Sequence, residues 1–267
     1  MSVRPTLVKL NEKAGNSPLF AVHGAAGTSF HYSRIALMLE TECPVLGIEA
    51  SGLESGDTVL DSIEEISESY VDLVLTTQPE GPYRLTGYSA GARIAYAMAV
   101  RLEDMGHEVA DPVLIGGGGP VITGIDGPVD EARAFHSLIE YPLEEFRQLP
   151  PEVRDRHLLE VYAKEFSVDL DTPEDVELVR RRIAVYTANS RALFSYDTPS
   201  FGGGVVLVES EDEIDVHEHA HQWAELVDGE VTVKVVPGGH FTMVLREVNQ
   251  RAVARAIDAA LQGTAAR

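Results

Sequence analysis

The sequence predicts an α/β fold, a mostly parallel sheet with helices on both faces and an all-helical block inserted into it. Three observations lead there. Short apolar runs alternate with stretches of helical spacing up to residue 115, and the alternation then gives way to helical periodicity alone. Strand-like runs resume after residue 204. We therefore expect one domain over residues 1–267 with a helical lid at about 120–200.

The elements follow in order. Leu19-Phe20-Ala21-Val22 is a buried-strand run that enters the glycine turn His23-Gly24-Ala25-Ala26-Gly27. Phe30 to Leu39 has helical spacing, and Pro44 to Ile48 reads as the next strand. Ser62 to Thr77 repeats Ile63, Ile66, Tyr70, Leu73 and Val74 three or four apart, as an amphipathic helix does. Gly81-Pro82 ends it before a strand at Tyr83 to Thr86. Ala90 to Met105 is helical and stops at Gly106, and Pro112 to Ile115 is a strand running into Gly116-Gly117-Gly118-Gly119. In the inserted block, helices are expected at Pro128 to Ile139, Pro151 to Phe166 and Pro173 to Phe194, each with proline near its first turn. Strands at Val205 to Val208 and Val231 to Val236 flank a helix at Val216 to Leu226. A helix at Val248 to Leu261 precedes a frayed tail from Gly263.

Composition narrows the function. Acidic residues number 43 against 21 basic ones, a net charge of −22, and such a surface repels phosphate backbones, so nucleic acid is not an expected partner. The single cysteine, Cys43, rules out an internal disulfide and fits a reducing, cytoplasmic setting. Residues 1–16 lack an apolar run and no stretch of 18 apolar residues occurs, so neither a signal peptide nor a membrane span is expected.

The chemistry centres on Gly87-Tyr88-Ser89-Ala90-Gly91, set between a short strand and a helix of small residues. A Gly-x-Ser-x-Gly turn in that setting is a nucleophile elbow. The serine takes a strained backbone at the apex, and a side chain at either glycine would strike the strand or the helix. A serine hydroxyl needs a base, and in this chain order the base follows the last strand. His240, in Pro237-Gly238-Gly239-His240-Phe241, stands there. The acid that orients it is sought after the preceding strand, in Glu209-Ser210-Glu211-Asp212-Glu213-Ile214-Asp215. Asp212, in the middle of that loop, is the first choice, with Glu211 and Asp215 as alternatives. Oxyanion donors must be backbone N–H groups. Ala90, after the nucleophile, and Ala25, in the first glycine turn, are the candidates.

Together, Pro18 to Gly24, Gly87 to Gly91 and Gly238 to Phe241 resemble the thioesterases of polyketide and nonribosomal peptide assembly lines. Gly81 to Leu85 and Leu102 to His107 are also similar to that group. The resemblance implies an α/β-hydrolase fold under a helical lid. It implies a serine enzyme for acyl or peptidyl chains held as thioesters on the phosphopantetheine of a carrier protein, with no cofactor. Members fused to a synthase often place the triad aspartate after the strand that follows the elbow helix. Here that place falls near Gly116 and holds no acid, whereas stand-alone members place it where Asp212 sits.

Carrier proteins are usually acidic, so the cluster Arg180-Arg181-Arg182 on the lid is a candidate contact; its alternative role is to balance Glu174, Asp175 and Glu177. Tyr88, Tyr186 and Phe194 are candidate acyl-cavity residues. Arg93 could face the site or lie on the helix surface. His217, His219 and His221 do not have the spacing of a zinc-protease site, and no metal is expected. A carrier-independent carboxylesterase, or a silent carrier-binding module, are the competing functions.

Overall fold

The computed structural model describes residues 2–120, 129–136, 138–139, 141–212 and 216–264. Seven strands form one sheet: β1 (Thr6–Lys9), β2 (Leu19–Val22), β3 (Val45–Glu49), β4 (Arg84–Tyr88), β5 (Val113–Ile115), β6 (Val205–Ser210) and β7 (Val231–Val236). Their order is β1-β3-β2-β4-β5-β6-β7, parallel throughout except for β1, which runs antiparallel to β3 at the edge. β1 has no apolar run because its residues are mostly exposed; the sequence pattern gave no sign of it.

Successive side chains along a strand point to opposite faces, and both faces are covered. Phe20 and Val22 of β2 join a core with α2 (Ile63–Thr77), α3 (Ala90–Asp104) and Trp223 of α8 (Val216–Ala224). Leu19 and Ala21 join the opposite core with α1 (Tyr32–Met38) and α10 (Glu247–Thr264). α3 is buried over most of its length, which its alanines and glycine allow by letting the helix sit close to the sheet.

Between β5 and β6 lies the helical insertion, with α4 (Glu131–Ala134), α5 (Leu143–Gln148), α6 (Pro151–Phe166) and α7 (Pro173–Ser195). It has its own core around Phe135, Phe146, Tyr162 and Ile183. Pro151 and Pro173 each open their helix, and Thr172 with Asp175 closes a capping box on α7. The first expected lid helix is shorter than its spacing suggests: α4 ends at Ala134, and Pro128 lies outside the described residues. A short helix, α9 (Thr242–Leu245), follows β7. Among the described residues no helix is long and apolar enough to cross a membrane.

Candidate active site

Ser89 stands between the end of β4 and the first residue of α3 with φ +56° and ψ −122°, a strained conformation for a residue with a side chain. Its N–H donates to Ile115 O at 2.8 Å. The flanking glycines are needed sterically: a Cβ at Gly87 would collide with Gly91 O, and one at Gly91 with His23 O. The turn is held from both sides, and the hydroxyl projects above the carboxyl ends of the strands.

His240 reaches the same point from the far end of the chain. Its Nε2 lies 3.0 Å from Ser89 Oγ. The loop carrying it turns at Gly238, whose φ of +93° lies in the region that favours glycine. Gly239 N–H donates to Thr242 Oγ1 at 2.8 Å, and Gly239 O accepts from Met243 N–H at 2.9 Å, which ties the loop to α9. The Tyr88 ring stacks on the His240 ring at 5.2 Å, and its hydroxyl donates to His240 O at 2.9 Å. The residue before the serine thus helps to fix the imidazole.

The loop after β6 runs beside this one. Glu211 N–H donates to Val236 O and Asp212 N–H to Gly238 O. Asp212 lies against the residue preceding His240, since a Cβ on Gly239 would come 3.1 Å from Asp212 Oδ2. The Glu211 carboxylate accepts from Gly238 N–H at 3.1 Å, so it braces the loop. Asp215 lies outside the described residues. Gly116, just after β5 with φ +55°, packs close to the imidazole: a Cβ there would sit 3.3 Å from His240 Nδ1 and 3.2 Å from Met243 Sδ.

Ala90 is the first residue of α3, where N–H groups have no partner within the helix. Ala25 lies in a turn closed by Gly27 N–H donating to Gly24 O. The carbonyl of Ala25 accepts from Asn189 Nδ2 of α7 at 2.9 Å, so the lid grips this turn directly. Ser89, Ala25, Tyr88, Tyr186 and Phe166 line one cavity of about 500 Å³ with a mainly apolar wall. Phe194 does not line it.

With this geometry in view, the comparisons with known proteins decide the family. The model of the thioesterase domain family matches residues 17–261. The chain belongs to the thioesterase domain family. Malpinin synthetase of Mortierella alpina is 27% identical over 244 residues, covering 88% of this chain and 3% of the synthetase. The chain therefore spans a small part of the curated relatives it matches. Among solved structures, holo-AB3403, a four-domain nonribosomal peptide synthetase bound to AMP and glycine, superposes with a TM-score of 0.83 at 28% identity. That match covers 95% of this chain and 20% of the other. The NocB thioesterase domain, in covalent complex with a fluorophosphonate nocardicin G analog, gives a TM-score of 0.69 at 26% identity. It covers 96% of this chain and 99% of that domain.

Several residues of this thioesterase domain were not singled out by sequence. His23, fully buried before the Ala25 turn, has Nδ1 2.7 Å from Gly24 O, which can only accept, so Nδ1 carries the proton. Its Nε2 therefore accepts from the Tyr70 hydroxyl. Burial holds this imidazole neutral, with its pKa pushed down to about 4. His31, a cavity wall residue beside Tyr88, is lowered to about 3, chiefly by burial and then by His23.

Arg93 occupies neither place considered for it. It is buried on α3, and its guanidinium donates to Gly119 O, Pro120 O and Thr198 Oγ1 while lying over the Trp223 ring at 5.3 Å. It clamps both ends of the insertion to the helix that begins at the serine. Burial lowers its pKa to about 10. Its only sequence signal is a charge inside a run of small and apolar residues. Among the described residues no group of three His, Cys, Asp or Glu side chains could hold a metal ion. His221 instead lies 3.7 Å from Glu225.

Proposed function

We propose that this domain is a serine thioesterase that releases acyl or peptidyl chains delivered as phosphopantetheine thioesters by a carrier protein in polyketide or nonribosomal peptide assembly. One observation carries the reading: the 3.0 Å approach of His240 Nε2 to Ser89 Oγ at the wall of an apolar cavity. His240 takes the hydroxyl proton as Oγ attacks the thioester carbonyl. The oxyanion is held by the N–H groups of Ala90 and Ala25, each contributing roughly 2.7–4 kcal/mol to the transition state. The C–S bond then breaks, and the imidazolium returns its proton to the leaving sulfur. Asp212 keeps the ring in the required tautomer. Water, or a nucleophile of the acyl chain itself, attacks the Ser89 ester, giving a free acid or a ring. His240 accepts the nucleophile's proton and passes it to Oγ.

The family match and the kinship with synthetases support this reading, and the fluorophosphonate held by the NocB domain suggests the probe. A fluorophosphonate should add one adduct to the native protein, located on Ser89, and none to Ser89→Ala. The same substitution should abolish turnover of octanoyl-N-acetylcysteamine. Native protein that hydrolyses the matching oxygen ester faster than the thioester would favour a carboxylesterase. Labelling that survives Ser89→Ala would end the assignment.

Arg180, Arg181 and Arg182 of α7 remain a candidate contact for the carrier, with two of them in surface ion pairs. Arg180 is paired with Asp155 at 2.6 Å, Arg181 with Glu177 at 3.5 Å, and Arg191 with Asp61 at 3.3 Å.

A further inference from the structure

We infer that the carrier lands on the face formed by α1, α9 and the first turns of α10. This rests on the function proposed above and adds to it where the partner binds.

The acyl chain enters through the cavity mouth, so its carrier must settle on surface bordering that mouth. Phe30, Phe241 and Leu245 line the cavity yet are 79%, 47% and 59% exposed. The apolar surface continues onto Leu37 of α1 and Val248 of α10, each 69% exposed, where the two helices pack side by side. A monomer rarely leaves so many large side chains together in water without using them.

The same face is cationic in a chain of net charge −22. Arg34 lies one turn from Leu37, and Arg251 and Arg255 follow Val248 at helical spacing. Arg246 precedes them. Against these stand Glu40 and Glu247. Glu247 pairs with Arg251 at 2.7 Å and more loosely with Arg34 at 3.9 Å. Among the described residues Arg246 and Arg255 make no ion pair. On the opposite, lid side of the mouth stands Glu165, which would repel an acidic partner.

An apolar strip fringed by arginines beside an acyl tunnel fits an acidic carrier domain whose arm reaches past Phe30 and Phe241 to Ser89. A second copy of this chain fits less well. A two-fold contact would set the arginines against one another and bring together two bodies of high negative charge.

The test compares Arg246→Glu/Arg255→Glu and Leu37→Glu/Val248→Glu with native protein, none of these residues lining the cavity. The substrates are an octanoyl-loaded carrier domain and octanoyl-N-acetylcysteamine. We expect KM for the carrier substrate to rise about tenfold in each double variant, with kcat/KM for the small thioester unchanged, and native KM for the carrier to rise with salt. An unchanged carrier KM overturns the assignment, as does an equal loss on both substrates. Native KM values that are the same for both substrates would exclude any docking surface. A native dimer in sedimentation that Leu37→Glu/Val248→Glu dissociates would make the face a self-interface instead. If native protein turns over neither substrate, the proposed function fails, not merely the surface.

Discussion

His23 makes the fold sensitive to acid through its place just before the turn that holds Ala25. Its imidazole stays neutral in the folded protein down to about pH 4, because burial strips it of water and both nitrogens are engaged. In the unfolded chain the same group protonates near pH 6.5. Between these values the unfolded state holds the extra proton, so stability is complete above pH 6.5 and declines as pH falls toward 4. The slope approaches 1.4 kcal/mol per pH unit, or about 2 kcal/mol between pH 6.5 and 5. Urea unfolding of native protein and His23→Gln at about pH 7 and about pH 5 isolates this proton, because the contribution of His31 and of the carboxylates is common to both. His23→Gln should be less stable at about pH 7 but should lose about 2 kcal/mol less than native protein on acidification. Parallel losses in the two proteins would show that His23 takes up its proton without cost in the fold, and the argument from burial would be wrong.

Three further outcomes are expected. Asp212→Asn should lower kcat by roughly 10³–10⁴. Steady-state kinetics decides, and full activity in Asp212→Asn removes the aspartate from the relay. Arg93→Met should lower the calorimetric Tm by about 5 °C or more, because Gly119 O and Pro120 O lose a charged donor worth about 1–3 kcal/mol each. An unaltered Tm would mean that the insertion is fastened by other contacts. Asn189→Leu releases Ala25 O and should reduce kcat about tenfold with KM nearly constant. A change confined to KM would place Asn189 in substrate binding alone.

What the sequence made legible follows from how local the constraint was. The elbow is fully local: Gly87 and Gly91 are dictated by backbone atoms within a few ångströms, so the motif announces its own geometry. The fully buried runs of β2 and β6 were equally plain, as were α6 and α7, each opened by a proline. β1 was hidden because an exposed edge strand has no apolar signature, and α5 because six residues with one buried side chain are too few to show a period. The parts of the site that went unread are long-range. Asn189 meets Ala25 across 164 residues, Tyr70 meets His23 across 47, and Arg93 meets Thr198 across 105. No spacing rule connects such pairs, and only the folded chain brings them together.

The order of the strands also governs when chemistry becomes possible. Ser89 and His240 stand 151 residues apart, and His240 follows β7, the last strand of the sheet in chain order. A nascent chain that has just completed β5 displays a serine with no imidazole to draw off its proton. The contact between the two side chains therefore closes only when the sheet is complete through β7.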